Sequence, residues 1–199
     1  MPGKYKVSIS MVSKEQEKEL VPQTEFNVVP LNNTTIPASN RAELVTFQKK
    51  AAELARTAMG IQNVADELAK TTEAIKQALS NTPNVPFSLF TRANDISKEL
   101  DNILITIRGR QGRGASAEEN PPAQVTLSSR LQTMLYTAMR TTTNLTKNQT
   151  VAYETLYEEI QPVIAKIKKI SDVDLKAIEA EMDKLNVPWT PGRMPELKK

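Results

Sequence analysis

The feature that most constrains this chain is a run of apolar residues, between positions 44 and 79, whose spacing alternates between three and four. This spacing gives a single helix one continuous apolar stripe, and it predicts a helix over residues 40–80. At ~1.5 Å per residue such a helix spans about 60 Å. A sustained repeat of this kind is typical of a bundle or coiled-coil seam. The stripe contains Leu44, Phe47, Ala51, Leu54, Ala58, Ile61, Ala65, Leu68, Thr72, Ile75 and Leu79.

One layer of the stripe is small throughout. It consists of Ala51, Ala58, Ala65 and Thr72. Small side chains let a partner helix approach toward the low end of the ~8–10 Å range of interaxial distances. We therefore expect a close neighbour along this layer, and we expect larger residues to overpack it.

Similar spacing predicts further helices over residues 86–108 and 126–143, and a fourth that starts after Thr146. Thr146 and Gln149 have the spacing of a capping box. Pro162 lies inside the fourth helical pattern and is expected to kink or break it, and a short further helix is expected from Ser171. Residues 40–187 are thus predicted to form an up-and-down antiparallel bundle of about four helices.

Residues 1–30 show a different pattern. Tyr5, Val7, Ile9 and Met11 alternate with polar residues, and a second alternation surrounds Phe26. Two such strands, with the charged stretch 13–19 between them as a turn or loop, predict a β-hairpin. A tyrosine near a strand start occurs at the penultimate strand of immunoglobulin-like sandwiches. We interpret the hairpin as the end of such a sandwich, cut from a longer protein; the alternative is a natural hairpin that caps the bundle.

Three further segments complete the organisation. Residues 31–39 are a linker rich in turn-forming residues, and residues 109–125 hold three glycines and are expected to form a mobile loop. Residues 188–199 are expected to form a C-terminal tail. Trp189 is the only tryptophan, and we expect it to dock into its own domain or a neighbouring one rather than to stack on a ligand.

Composition excludes several classes of function. The chain has no cysteine and no histidine, which removes thiol nucleophiles, disulfides, Cys/His zinc sites and histidine acid–base chemistry. Aromatic residues make up 5%, and the net charge is only +3. The Arg-Gly segment 108–114 is one short copy and is better interpreted as a solvated loop than as a nucleic-acid element. We expect no nucleic-acid partner, no membrane span and no signal peptide.

Glu158 and Glu159 are the pair of carboxylates worth weighing for glycoside hydrolysis. That chemistry needs two carboxylates that face each other across a cleft, about 5–9 Å apart. Adjacent helical residues point about 100° apart, so a solvated helix face is the preferred interpretation. No catalytic, cofactor-binding or metal-binding residue is assigned from the sequence.

The assembled pattern resembles a known family. The residues that carry the resemblance are Pro2-Gly3-Lys4-Tyr5, Glu25-Phe26-Asn27-Val28, the linker Pro30-Leu31-Asn32-Asn33-Thr34-Thr35, the segments 44–50 and 75–79, and the ending Pro188-Trp189-Thr190-Pro191-Gly192-Arg193. They look like the C-terminal region of large secreted bacterial proteins with sortilin-like, BNR (Asp-box) repeat β-propellers. These proteins are commonly labelled glycosyl hydrolases.

The resemblance implies a role, a partner and a location. In that family the propeller precedes this region and would carry any catalysis, so the chain would be a non-catalytic accessory module, structural or for assembly. Its partners would be the upstream propeller and sandwich domains of the same parent chain, and its location periplasmic or extracellular. Two alternatives stay open: a helical module that binds a protein or glycan, and a fragment that contributes to a glycosidase site completed by the propeller. Self-association through the hairpin is also expected, because the hairpin has an exposed edge and an apolar face.

Overall fold

The computed structural model describes residues 1–14, 16–31, 36–110 and 125–195. Strands β1 (Gly3–Ser13) and β2 (Gln16–Val28) form an antiparallel hairpin. The helices are α1 (Arg41–Ser80), α2 (Phe87–Arg108), α3 (Leu127–Arg140), α4 (Lys147–Lys169) and α5 (Leu175–Lys184). The predicted fold class, a mainly helical chain preceded by a β-hairpin, is confirmed. Most of the predicted mobile loop at 109–125 lies outside the described residues.

Helices α2 and α3 both run antiparallel to α1, against different halves of it. The short connection 81–86 turns the chain back, and Arg108 Nη1 lies 3.0 Å from Asp66 Oδ1, so α2 follows the C-terminal half of α1. Gln48 Nε2 donates to the Ala138 carbonyl at 2.9 Å, which puts α3 along the N-terminal half. The two helices therefore form one column, laid end to end in the same direction, so the strict up-and-down alternation of consecutive helices is not followed between α2 and α3.

The joint in this column is at Gly109, which follows the last residue of α2. Gly109 has φ +84°, a left-handed conformation that favours glycine. A Cβ at this position would lie 3.1 Å from Thr126 Cγ2, next to the start of α3. The end of α2 and the start of α3 thus meet directly.

Helices α4 and α5 form the third column. The Phe47 and Tyr153 rings are 5.8 Å apart near the start of α1 and α4. Arg92 Nη1 contacts Glu181 Oε1 at 2.5 Å, near the start of α2 and the end of α5. This column therefore runs parallel to α1 and antiparallel to the α2–α3 column, as a long bundle requires of short-loop neighbours.

The sequence predicts that Pro162 kinks or breaks the fourth helix, but α4 is not broken there. The helix continues through it to Lys169, and a π-helical turn, Ile170–Asp174, leads directly into α5. Pro162 is exposed, whereas Ile160 and Val163 are buried on the bundle side. Packing on that side holds the helix together although proline removes one backbone hydrogen bond.

The predicted stripe of α1 forms the centre of the core. Most of its members are buried, and Thr72 satisfies its hydroxyl by donating to the Leu68 carbonyl at 2.7 Å. Ala51 and Ala65 have no exposed surface. Ala58 differs, because it is only partly buried and lines a small apolar cavity of about 20 Å³ between α1, α2, α3 and α4. The close approach of a partner helix, which we expected along the whole small layer, is therefore looser at Ala58.

Side-chain caps fix the predicted helix starts. Asn40 Oδ1 accepts from the Glu43 backbone N–H at 3.1 Å. Thr146 and Gln149 form the reciprocal capping box that their spacing predicts. These caps satisfy backbone N–H groups that a helix start otherwise leaves without a partner.

The linker is tied to the bundle immediately before α1. The Ala38 N–H donates to the Thr142 carbonyl at 3.1 Å. The Ser39 N–H and hydroxyl both donate to Asn144 Oδ1, at 2.8 and 2.9 Å. The end of the linker is therefore fixed on the connection between α3 and α4.

The strands of the hairpin are longer than the sequence predicted. Glu17, Lys18 and Glu19, expected to lie in a turn or loop, belong to β2 and pair with Val12, Met11 and Ser10. All of these residues are exposed. Charged side chains on an exposed strand remain solvated, so their charge does not prevent pairing.

The fully buried Ala65 gives a direct test of packing in the small layer. We expect Ala65→Leu to lower the free energy of unfolding by about 1–3 kcal/mol, because the added volume has no space to occupy. Ala52→Leu, on the exposed side of the same helix, is the matched control and should change stability little. Urea unfolding followed by far-UV circular dichroism measures both. Equal stability of the two variants would contradict the close approach at Ala65.

Candidate functional site

One face of the hairpin is an apolar surface that the described helices leave exposed. Paired residues share a face, so Tyr5 lies beside Phe26 and Ile9 beside Val21. Their relative exposures run from 38% at Val28 to 54% at Ile9, although such side chains are normally buried. We call the apolar side chains of this surface the hairpin face; they are Tyr5, Val7, Ile9, Met11, Val21, Phe26 and Val28, with Thr24 and Lys18 among them as the partners of Val7 and Met11.

The opposite face of the hairpin is polar apart from Val12, which pairs with Glu17. Lys6 lies opposite Glu25, with Lys6 Nζ 3.5 Å from Glu25 Oε1, and Lys4 lies opposite Asn27. Every described residue of β1 and β2 is exposed, so the described helices bury neither face. An amphipathic sheet normally covers its apolar face with another layer, and within the described chain this layer is missing.

Tyr5 occupies the position that suggested an immunoglobulin-like strand. Its hydroxyl donates to the Met1 carbonyl at 2.6 Å, four residues upstream. Its ring centroid lies 6.0 Å from that of Phe26. The tyrosine thus folds back on the segment before the strand, as the corner tyrosine of a sandwich does.

A second candidate surface is an open groove of about 1070 Å³ between α3 and α4. Most of its lining surface is apolar, and its walls also carry hydroxyl and amide groups, two arginines and one tyrosine. Arg130 closes one side with Glu159, and Arg140 lies with its guanidinium 4.7 Å from the centroid of the Tyr136 ring. The groove offers hydrogen bonds to a polar ligand, but its cations already have partners.

The two adjacent glutamates have different environments. Arg130 Nη1 donates to Glu159 Oε1 at 3.0 Å, and Arg130 Nη2 donates to the second oxygen. This hydrogen bonding lowers the pKa of Glu159 below its ordinary value. Glu158 is exposed. The structure therefore does not bring the two carboxylates together across a cleft, and the cationic partner of Glu159 opposes the raised pKa that a general acid needs.

The C-terminal segment folds back on α5 instead of extending as a tail. Thr190 and Arg193 are buried, whereas Trp189 is 46% exposed and does not insert into the bundle. Only 4% of the Arg193 side chain is exposed; it donates to Asp183 Oδ1 at 2.5 Å and to the Pro188 carbonyl at 2.9 Å. Its guanidinium also lies 4.9 Å from the centroid of the Trp189 ring. We call this arrangement the arginine clasp.

Among the described residues, no group of three or more acidic side chains could hold a metal ion. In the same part of the chain, no helix is both long and apolar enough to cross a membrane.

Sequence reasoning missed the arginine clasp and the Arg130–Glu159 pair. One feature of the sequence could have indicated the clasp. Asp183 and Arg193 flank a Pro-rich turn that brings the chain back on itself. The second pair joins different helices, and its partners are 29 positions apart. Helical periodicity alone gives no such cross-helix register.

Comparison of the chain with protein-family models, with curated proteins and with solved structures finds no match.

The Arg130–Glu159 pair predicts a pH-dependent difference in stability. Because the pKa of Glu159 is lower in the folded state, its ionised form stabilises the fold above about pH 4.3, and this contribution is lost as the pH falls through the lowered value. Glu159→Gln should reduce the free energy of unfolding by less than about 1 kcal/mol at pH 7, since the pair is partly exposed. The difference from wild type should shrink as the pH falls below about 4.3.

Glu158→Gln is the matched control for this change and should behave as the wild type across the same range. Urea titrations at several pH values measure all three proteins. A loss in Glu159→Gln that persists undiminished at pH 3 would show that the ion pair is not its cause.

The arginine clasp is tested by the only tryptophan of the chain. Arg193→Met keeps an unbranched stem but removes the ion pair, the hydrogen bond to Pro188 and the cation beside Trp189. We expect the Trp189 emission to shift to longer wavelength, while the far-UV circular dichroism stays close to that of the wild type. Arg56→Met, which removes an exposed ion pair on α1, should leave the emission unchanged. An unchanged emission in Arg193→Met would contradict the clasp.

Proposed function

We propose that this chain is a non-catalytic structural module, in which the hairpin supplies two strands of an immunoglobulin-like β-sandwich and the bundle is an accessory element. By the resemblance given above, it would be the C-terminal region of a larger, propeller-containing protein of the kind labelled glycosyl hydrolases. The observation that carries the proposal is the uncovered hairpin face. The location of the chain would then be periplasmic or extracellular.

The hairpin face supports a partner outside the described chain for an energetic reason. A two-stranded hairpin is marginal in water, and three or more strands or a packed layer are needed for stability. Each large apolar side chain that becomes fully buried contributes about 1.5–3 kcal/mol. The bundle, in contrast, has a buried core of its own. The layer that is missing is therefore one that would cover the hairpin, whereas the bundle already covers its own core.

The dimensions of the face favour further strands over a second hairpin. β1 has 11 residues, which at ~3.3 Å each gives about 36 Å, and two strands are about 10 Å wide. Two stacked hairpins would bury about 700 Å² in total, less than the ~1,200 Å² of a stable interface. Strands that both pair with the hairpin and stack on it would bury more. For the isolated chain, the same face favours weak self-association through residues 1–30.

The bond between Tyr5 and Met1 supports an immunoglobulin-like partner in particular. The residue type, its place at the start of β1 and the upstream carbonyl agree with the corner tyrosine of that architecture. The tie between Ser39 and Asn144 supports a structural role for the linker, because it fixes where the chain enters the bundle.

A second candidate function rests on the groove between α3 and α4. Its volume of about 1070 Å³ is slightly above the ~300–1,000 Å³ of ordinary ligand sites, and its hydroxyl and amide groups suit a peptide or a glycan. The groove is open, and Arg130 and Arg140 already have partners, so this candidate ranks below the first. Binding of a glycan or peptide array that is lost on Thr137→Leu in the groove would favour it.

The extent of the open reading frame is the first test of the proposed function. We expect coding sequence for further β-strands, and for propeller repeats, upstream of Met1. A reading frame confined to these 199 residues would contradict the proposal.

Turnover by the chain itself is the second test, because it distinguishes an accessory module from a fragment of a glycosidase site. We expect no hydrolysis of a panel of chromogenic glycosides. Turnover that Glu158→Gln or Glu159→Gln abolishes would contradict the non-catalytic assignment.

A further inference from the structure

The two outer edges of the hairpin differ in what they can bind. In the described part of the chain, β1 and β2 pair only with each other, so each strand has one unpaired edge. An unpaired edge presents backbone N–H and C=O groups that can pair with another strand. A long ladder of backbone hydrogen bonds can form only on an edge that is regular.

The edge of β2 is irregular at its middle. Val7 pairs with Thr24 and Ile9 with Val21, so β2 has one residue more than β1 in this interval, and a second shift follows at the next pair. Pro22 lies inside the first interval and has no N–H to donate. Bulges and proline are features that protect a strand edge from further pairing.

The edge of β1 has none of these features. It contains no proline, and both register shifts add their extra residues to β2. Its side chains alternate regularly, with Tyr5, Val7 and Ile9 on the hairpin face and Lys4 and Lys6 on the other. A strand added here would continue both faces of the sheet.

The charges of β1 indicate which kind of strand would fit its outer edge. Lys6 has Glu25 beside it, whereas Lys4 lies opposite Asn27 and has no ionic partner among the described residues. An incoming strand with acidic residues on this face would pair with Lys4, and opposite charges on neighbouring strands are favourable. Apolar residues on its other face would extend the hairpin face.

We propose that the outer edge of β1 is a docking site for a further β-strand that alternates apolar and acidic residues and is supplied from outside this chain. The inference rests on the proposed function and deepens it, because it names which strand of the hairpin meets the rest of the sandwich. The edge of β2 then forms a margin of the completed sheet.

A short peptide can test the assignment on the full chain. The probe has about nine residues, the upper range of ordinary strands, and alternates Val and Glu; the matched probe alternates Val and Lys. We expect the Val/Glu peptide to shift the backbone amide resonances of β1 and to slow their hydrogen exchange. Lys4→Glu should weaken its binding by about two- to fivefold and strengthen that of the Val/Lys peptide by a similar factor.

Two proline variants separate the edges. Ser8 and Leu20 are both without a partner across the hairpin register, so a proline at either position disturbs the pairing of β1 with β2 least. Ser8→Pro should abolish binding of the Val/Glu peptide, and Leu20→Pro should leave it unchanged. The charge-reversal variant decides the question if Ser8→Pro unfolds the hairpin.

Several results would overturn the assignment. They are peptide-induced shifts confined to β2, loss of binding with Leu20→Pro but not Ser8→Pro, equal binding of both peptides, and no binding of either. A concentration-dependent dimer that excludes the peptide would assign the edge to a second copy instead. None of these results bears on the reading frame, so a failure here differs from a failure of the proposed function.

Discussion

The bundle depends on the apolar stripe of α1, because both other columns pack against it. Ordering a residue costs about 1–2 kcal/mol of backbone entropy, so a 40-residue helix is not stable without partners along its length. The long α4–α5 column and the shorter α2 and α3, laid end to end, supply those partners. Gly109, after the end of α2, lies next to Thr126 at the start of α3, where the two short helices meet.

The hairpin differs from the bundle in the burial of its apolar side chains. The bundle buries its own apolar side chains, whereas the hairpin leaves those of one face exposed. The hydrogen bonds of Ala38 and Ser39 join the linker to the bundle at the connection between α3 and α4. A module of this kind can link a sheet completed elsewhere to a helical rod about 60 Å long, and that is the role we propose for it.

Much of the fold could be predicted from the sequence because the signals are local. The spacing from Leu44 to Leu79 determines α1, and Thr146 with Gln149 determines the start of α4. The shared direction of α2 and α3 could not be predicted, since periodicity specifies a face but not a neighbour. The burial of Arg193 is also a tertiary property, because its partners at Asp183 and Pro188 come together only when the chain turns back. The hairpin face was visible as alternation, but its lack of a cover was not.

Hydrogen–deuterium exchange of the full chain, followed by mass spectrometry, tests the central claim most directly. If the hairpin is completed by strands outside the described chain, its amides should exchange within seconds, while those of α1 and α4 stay protected by the core. In a longer natural protein, the same hairpin amides should become as protected as the bundle. Hairpin amides as protected as those of α1 in the 199-residue chain, without concentration dependence, would contradict the account.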